Sequence, residues 1–327
     1  MGITTASARF LAQSKAAGTR FGRVLTLGRQ TTAVTPARLR AILEDCGVSL
    51  GTNNGADFER RLADARWPFE EFLQLLGADE VLACDASSYE GAAIVHDLNE
   101  PVPAQLHERF ETVIDGGTLE HVFNFPVAIE SAMQMVKAGG RLFIITPANN
   151  YFGHGFYQFS PELFYRVLSA ENGFRVERMI ALVDDGGFSR LFGKPYFFRL
   201  TGSWYAVRDP ELIQKRVTLM NNLPVMLFVE ATRTSVQPIF LRQPQQSDYS
   251  AQWAAGRASN SAQLDGAYRG HGWAFPIDRL PNWVRWHVLP ALLWLADPFR
   301  LIRWKRRNSF FNREFFRKVA GKTGRRV

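Results

Sequence analysis

The chain of 327 residues has only two cysteines and no long apolar run. Cys46 and Cys84 lie far apart, without CxxC or metal-ligand spacing, which predicts two reduced, buried thiols. The longest apolar candidate for a membrane span, residues 288–295, is too short to cross a bilayer and contains Pro290. The N-terminal residues lack the continuous apolar stretch of a secretory signal. We therefore expect a cytoplasmic protein.

A general excess of positive charge is also missing. The net charge is +8, but eleven of the 39 basic residues lie in residues 300–327 beside one acid, Glu314, so the rest of the chain is close to neutral. Nucleic-acid binders usually carry a basic stripe on the folded domain, so we expect no nucleic-acid partner.

The basic segment is also rich in large aromatic residues. These are Trp283, Trp286, Trp294, Trp304, Phe310, Phe311, Phe315 and Phe316. Aromatic rings beside cations are typical of a membrane interface, which indicates contact with an anionic, inner membrane surface. The alternative is that the rings pack on the core or against a protein partner.

Short apolar runs bounded by turn residues alternate with helical patterns, which predicts βαβ units and a parallel sheet. Seven runs are found, at residues 24–27, 80–84, 93–96, 112–114, 141–146, 175–183 and 225–232. Helices are predicted at 68–76, at 126–137 and after an N-cap at Ser160.

The composition changes after the seventh run. Residues 243–270 are rich in Gln, Ser, Ala and Gly, which predicts a linker or mobile loop. We divide the chain into a domain at 1–242, a linker at 243–280 and a basic, aromatic extension at 281–327.

The centre of the chain carries three recognisable blocks. Residues 110–149 read FETVIDGGTLEHVFNFPVAIESAMQMVKAGGRLFIITPAN. The blocks FETV, LEHV and KAGGRL resemble class I S-adenosylmethionine-dependent methyltransferases of the type 11-like group. The resemblance is strongest over residues 80–180 and does not reach the tail. It implies a Rossmann-like, seven-stranded, mostly parallel sheet with helices on both faces, and S-adenosylmethionine as cofactor.

The resemblance also implies a set of cofactor-binding residues beyond the carboxyl ends of the strands. Asp85 would accept the two ribose hydroxyls and Asp97 would lie near the adenine amino group. Asp115, Gly116 and Gly117 would border the methionine portion, where glycine allows close approach. Each position has an alternative interpretation: a helix cap or turn at Asp85, a turn former at Asp97 and a simple tight turn at the glycines.

The first strand departs from the family pattern of an acid followed by Gly-x-Gly-x-Gly. Residues 26–32 read TLGRQTT, with Gly28 as the only glycine and no acid. Gln30 or Thr31 would offer polar contacts to the cofactor instead. Arg29 would be repelled by a sulfonium. A second hypothesis is therefore a catalytically inactive protein of this fold that serves in binding or as a scaffold.

Methyl transfer to oxygen also requires a base that removes a proton from the acceptor. His154 lies in an aromatic and glycine-rich loop after the fifth strand and is our candidate base or acceptor ligand, with Tyr157 as an acceptor contact. In the resembling family, the position of His121 lies near the cofactor. The alternatives are a structural histidine at 121 and a well-packed aromatic loop. We expect no metal site, and a small-molecule or glycan-like acceptor.

Overall fold

A computed structural model describes residues 2–32, 34–49, 55–183, 202–258 and 308–319, together with Pro281, Ile302 and Arg306. The strands are β1 (Gly2–Ile3), β2 (Gly22–Leu27), β3 (Thr31–Thr32), β4 (Ala78–Asp85), β5 (Ile94–Val95), β6 (Phe110–Asp115), β7 (Val136–Asn149), β8 (Phe174–Val183), β9 (Trp204–Val207), β10 (Val225–Arg233) and β11 (Phe316–Val319). The helices are α1 (Thr5–Ala16), α2 (Pro36–Asp45), α3 (Gly55–Asp64), α4 (Pro68–Leu75), α5 (Phe125–Met135), α6 (Pro161–Val167), α7 (Pro210–Ile213) and α8 (Ser247–Ala258).

The main sheet has the strand order β11-β9-β8-β10-β7-β6-β2-β4-β5. Strands β5, β4, β2, β6 and β7 are parallel and follow the 3-2-1-4-5 order of a Rossmann-like sheet. Strand β10 is antiparallel to both of its neighbours, β7 and β8. The Rossmann-like, mostly parallel fold is therefore confirmed, and all seven predicted runs are strands of this sheet.

The predicted number of seven strands is wrong. The sheet has nine, because β9 and β11 extend it beyond β8. Strand β11 is only four residues long and comes from the basic segment, where its mixture of charged and apolar residues is a weak strand signal. The part of the chain that we predicted as a separate extension thus contributes a strand to the main sheet.

Helices cover both faces of the sheet, as predicted. One face packs against α1 to α4, with Phe10, Phe58 and Phe72 fully or almost fully buried. The other face packs against α5 and α6. Successive residues of a strand point to opposite faces, so Val24 joins the first layer and Leu25 the second.

Helix α5 ends two residues earlier than predicted. Val136 has an extended backbone and Val136–Asn149 form β7, in which Val136 pairs with Phe110. The early end of the helix lets β7 begin inside the sheet, so Lys137 is a strand residue instead of a helix-terminal cation. Its ammonium binds Glu111 of β6 at 2.5 Å.

The N-terminal segment belongs to the core. Helix α1 begins at a capping box between Thr4 and Ser7, and its Phe10 and Leu11 are fully buried. Strand β1 pairs in parallel with β3 in a separate two-stranded sheet, with Ile3 opposite Thr32. No element was predicted in this segment.

Within the predicted linker at 243–270, residues 247–258 form the helix α8, which we did not predict. Its alanines favour a helix. Residues 259–270 lie outside the described part of the chain, as do Trp283, Trp286, Trp294 and Trp304.

The described tail residues pack on the fold. Phe315 and Phe316 are buried, and Phe310 stacks on Tyr205 with ring centroids 4.2 Å apart, whereas Phe311 is exposed. These contacts favour the packing interpretation for this stretch. No helix within the described residues has the length and apolarity that a bilayer crossing requires. Membrane contact through residues 283–327 and a cytoplasmic location stay predictions.

Candidate functional site

The topological switch point of the sheet lies between β2 and β6. Leu27, at the end of β2, pairs with Cys84 of β4 on one side and with Asp115 of β6 on the other. The turns that begin at Gly28, Asp85 and Asp115 therefore meet at one edge of the sheet, where a Rossmann-like fold binds its ligand.

Gly28 makes the close approach that holds these turns together. Its φ is +69°, and a side-chain carbon there would lie 2.8 Å from Thr118 Oγ1 and 3.9 Å from Asp85 Oδ2. The Gly28 amide donates to the carbonyl of Cys84 at 2.7 Å, and the Thr118 hydroxyl donates to that of Leu27 at 2.7 Å. The structure thus brings together the predicted residues Gly28 and Asp85 and the turn that begins with Gly116 and Gly117.

Asp85 presents an uncommitted carboxylate to this edge. The side chain is half-buried, and no described residue donates a hydrogen bond to it. The helix-cap alternative has no support, because residues 86–93 form bends and turns with no helix. The carboxylate therefore keeps both oxygens as acceptors.

The Gln30 side chain lies beside Gly116, and its contact with the cofactor stays a prediction. It is 2% exposed, and its Nε2 donates to the Leu27 carbonyl at 3.1 Å. A side-chain carbon on Gly116 would lie 3.0 Å from Gln30 Cδ and 3.2 Å from Ile3 Cδ1. Gln30 and Ile3 thus fill the space over Gly116, and Gln30 Oε1 has no hydrogen-bond partner among the described residues.

Arg29 points to a different neighbour. Its guanidinium pairs with Glu70 at the start of α4 at 3.0 Å and lies 4.4 Å from the centre of the Trp67 ring. It also donates to the carbonyls of Glu90 and Gly91 at 2.8 and 2.7 Å. The charge predicted to repel a sulfonium is therefore paired, and it ties the turn after β4 to α4.

Asp97 follows β5 and forms a turn. Its Oδ1 accepts from the backbone amide of Asn99 at 2.9 Å and from its side-chain amide at 2.8 Å. These hydrogen bonds lower the pKa of Asp97. The geometry is that of the turn former we considered as the alternative, and contact with adenine stays a prediction.

Asp115 is completely buried. Its Oδ1 accepts from the amides of Thr118 and Leu119 at 2.8 and 3.3 Å, whereas Oδ2 has no hydrogen-bond partner in the described structure. Burial raises the pKa of Asp115, and the nearby charge of Glu120 raises it further. Gly117, with a φ of +102°, lets the turn close around the carboxylate.

A second cluster begins with Glu120, in a 3₁₀ turn at Leu119–His121 after β6. Glu120 is 0% exposed, and its Oε2 accepts from the Thr146 hydroxyl of β7 at 3.1 Å. Its Oε1 lies 3.7 Å from His154 Nε2 and accepts no hydrogen bond from the described residues. A buried carboxylate oxygen thus faces an imidazole.

Backbone contacts bring His154 to this position. The amides of Phe156 and Tyr157 donate to the Glu120 carbonyl at 2.9 and 3.2 Å. Between them and His154 lies Gly155, where a side-chain carbon would stand 2.8 Å from the Glu120 carbonyl oxygen. The loop after β7 therefore lies directly on the Glu120 turn, because residue 155 has no side chain.

His121 completes the cluster. Its ring centroid lies 5.3 Å from that of His154, and one ligand atom from each of Glu120, His121 and His154 lies within 4.8 Å of the other two. These three side chains form a group that could hold a metal ion, which the sequence did not predict. They come from two separate loops, so no fixed spacing revealed them, and the adjacent Glu120-His121 pair was the available signal. The expectation of no metal site stays a prediction.

Tyr157 has a role within the loop. Its hydroxyl donates to the Phe123 carbonyl at 2.6 Å, and its ring stacks on Phe159. Phe123, Phe152 and Phe156 are exposed and do not wall off a pocket. Contact between Tyr157 and an acceptor stays a prediction.

Comparisons with known proteins do not assign the chain to a family. No family model and no curated protein matches the chain. Among solved structures, a branched-chain polyamine synthase from Thermus thermophilus has 14% identity and a TM-score of 0.36 over 76% of this chain. The match spans 62% of that synthase, so the likeness leaves more than a third of it uncovered.

Two methyltransferase structures are similar at the same level. A proposed methyltransferase from Bacillus halodurans has 13% identity and a TM-score of 0.31, covering 70% of this chain and 99% of its own. A 16S rRNA (adenine(1408)-N(1))-methyltransferase from Catenulisporales acidiphilia, solved with S-adenosylmethionine, has 13% identity and a TM-score of 0.32, covering 72% and 94%. Values this low carry no argument about function, and the fold rests on the strand order of the chain itself.

Proposed function

We propose that the chain is an S-adenosylmethionine-dependent methyltransferase that acts on an oxygen of a small-molecule or glycan-like acceptor. The observation that carries this proposal is the uncommitted Asp85 carboxylate beside Gly28 at the switch point of the sheet. A carboxylate there accepts hydrogen bonds from two ribose hydroxyls, as an acid does in dinucleotide-binding sheets. The FETV, LEHV and KAGGRL blocks support the same cofactor.

The residues fit one end of this cofactor and not the other. Asp85 and Gly28 suit the ribose, whereas Gln30 and Ile3 fill the space over Gly116 that the methionine portion would need. Gln30 must therefore move when the cofactor binds. It would lose one hydrogen bond to the Leu27 carbonyl, which keeps the bond from Thr118. Its buried, unpaired Oε1 would gain partners, which offsets part of the cost.

The acceptor side uses the cluster around Glu120. When bound, the cofactor supplies an electrophilic methyl group on a sulfonium, so alignment and proton removal are the tasks left to the protein. His154 takes the acceptor proton through Nδ1, the ring nitrogen that does not face Glu120, and the Glu120 carboxylate, 3.7 Å from Nε2, stabilises the imidazolium that forms. His121 positions the His154 ring, and Tyr157 holds the loop through its bond to Phe123.

A second candidate function is ligand binding or scaffolding without catalysis. The filled space over Gly116 favours it, because a site that never opens needs no room for a sulfonium. The two candidates differ in one respect: only the methyltransferase requires Gln30 to leave its place.

Calorimetric titration with S-adenosylmethionine tests both. We expect the wild-type chain to bind, Asp85→Asn to weaken binding at least tenfold, and Gln30→Gly to tighten it by opening the space over Gly116. Asp79→Asn is the matched control, because Asp79 is an exposed acid near the opposite end of the same strand, β4, and it should bind like the wild type.

The outcomes separate the candidates. Binding by Gln30→Gly alone supports a permanently closed site and hence the non-catalytic candidate. If neither the wild type nor Gln30→Gly gives heat on titration, and the circular dichroism of both shows an intact fold, the methyltransferase proposal is contradicted.

A further inference from the structure

The cluster of Glu120, His121 and His154 has the composition of a metal centre. It offers one carboxylate and two imidazoles, the donor set of many three-ligand sites for zinc and non-haem iron. Neither the blocks of the sequence nor the proposed cofactor requires such a set. The three side chains come from two loops that their own backbone contacts hold together.

The spacing of the donor atoms suits a small cation. Ligands at about 2.0–2.2 Å from a tetrahedral zinc ion lie about 3.4 Å from one another. Glu120 Oε1 and His154 Nε2 are 3.7 Å apart, and all three donors lie within 4.8 Å. His121 is exposed, so rotation of its ring closes the remaining gap without disturbing the core.

Glu120 gives the independent indication that a ligand belongs here. Its side chain is fully buried, and its Oε1 points at His154 without a hydrogen bond from any described residue. No lysine or arginine in the described ranges forms an ion pair with it. A buried carboxylate normally has a cation or several donors as partners, because leaving it alone is costly.

The surrounding charge points in the same direction. Asp115, also fully buried, is close enough for the charge of Glu120 to act on it, and its Oδ2 is likewise unpaired. The Glu120 carboxylate, buried without a basic partner among the described residues, creates a negative potential that attracts a cation. His121 is the exposed member of the cluster.

We infer that Glu120, His121 and His154 bind a divalent first-row transition ion, with Zn²⁺ as the representative case. Imidazole ligands disfavour Mg²⁺ and Ca²⁺, which prefer oxygen ligands throughout. Three protein ligands leave one position open on the exposed side, as in catalytic zinc sites. The Thr146 hydroxyl orients the carboxylate from behind.

Binding of this ion does not depend on methyl transfer. In the loaded protein His154 is a ligand, so it no longer serves as the base that we propose for the ion-free chain. An acceptor hydroxyl that reaches the open position would instead lose its proton more readily because the ion lowers its pKa. Metal binding and cofactor binding are measured separately, and one result leaves the other intact.

The test is titration of the full chain, purified without a histidine tag and treated with a chelator, with ZnCl₂. We expect one Zn²⁺ per chain. Glu120→Gln, His121→Ala and His154→Ala should each weaken binding at least tenfold. Replacement with Co²⁺ should give the visible absorption bands of a low-coordinate site, a signature that nonspecific surface binding does not produce.

The controls are a second histidine and a second metal. His96→Ala removes a histidine from another loop, where it contacts the Glu100 carbonyl, and should bind Zn²⁺ like the wild type. MgCl₂ should bind at least a hundredfold more weakly. The inference is overturned if the wild type binds no Zn²⁺ while folded, if the three variants bind as the wild type does, or if Mg²⁺ binds equally well.

Discussion

The two sides of the crevice, both built from turns at the carboxyl ends of parallel strands, differ in how their polar groups are matched. On the cofactor side, Gln30 is packed over Gly116, and Arg29 is paired with Glu70. The Asp85 carboxylate is uncommitted there but only half-buried. On the acceptor side, Glu120 is fully buried, and its Oε1 accepts no hydrogen bond from the described residues. The first side has its space filled by the protein itself, whereas the second buries a carboxylate that lacks a full set of partners, as ligand sites often do.

The substitution Gly155→Ala tests this comparison with the largest expected effect, a loss of stability and of the arrangement around Glu120. The new methyl group would lie 2.8 Å from the Glu120 carbonyl oxygen and 3.2 Å from His121 Nδ1, so the loop must move off the Glu120 turn. We expect the free energy of unfolding to fall by about 3 kcal/mol, measured by urea denaturation, with loss of Zn²⁺ binding.

Gly153→Ala is the matched control in the same loop. Its φ is +82°, but no atom in the described part of the chain lies within 4 Å of the added carbon. Only the backbone penalty of about 1 kcal/mol should appear, and Zn²⁺ should still bind. Equal losses of stability in the two variants would show that the contact with Glu120 does not hold the loop.

Asp115→Asn is expected to stabilise the fold, by less than Gly155→Ala destabilises it. The pKa of Asp115 is raised by burial and by Glu120. A carboxyl whose folded-state pKa exceeds its unfolded value of about 3.9 favours folding at low pH, and this contribution is lost as the pH rises through the folded-state pKa. Asparagine removes the buried charge, so we expect a gain of about 1 kcal/mol at pH 7.

Chemical denaturation between pH 4 and pH 8 measures the free energy of unfolding of Asp115→Asn and of the wild type. The difference between variant and wild type should grow with pH and vanish near pH 4. A difference independent of pH would mean that the Asp115 charge is already compensated in the folded protein.

The smallest effect is expected from Tyr157→Phe. It removes one exposed hydrogen bond to the Phe123 carbonyl, which should cost about 0.5–1 kcal/mol. Thermal denaturation measures the loss. If Tyr157 only holds its loop, the affinities for the cofactor and for Zn²⁺ stay unchanged. A large change in either affinity would indicate that Tyr157 contacts a ligand in the crevice.

The sheet could be predicted because its strands are short apolar runs that end in turn residues. Residues 141–146 and 225–232 are such runs, and both are strands at the centre of the fold. Strand β11 could not be predicted in this way, because Arg317 and Lys318 interrupt its apolar residues and only its pairing with β9 defines it. The helix at 247–258 was missed because the Gln, Ser and Gly residues of 243–270 are typical of a loop and outweighed the alanines that favour a helix.

The sequence predicted individual residues of the site, but it did not predict how their side chains are arranged relative to one another. Asp85, Gly28 and Gly116 follow strand ends, and the fold alone brings them together. Whether Gln30 points into or away from the hollow depends on the pairing of β1 with β3, which no local pattern records. The contact of His154 with Glu120 likewise depends on two loops meeting.

The pairing of β1 with β3 also affects the affinity of any ligand that has to displace Gln30. Gln30 is followed directly by Thr31 and Thr32, which are held by Gly2 and Ile3. Two paired residues on each side form a weak ladder, so its amides should exchange with deuterium early. If the ladder must open before a ligand displaces Gln30, the apparent affinity is the intrinsic affinity multiplied by the fraction of molecules in which the ladder is open. Exchange rates at Ile3 and Thr32 would therefore report the hidden equilibrium before any ligand is added.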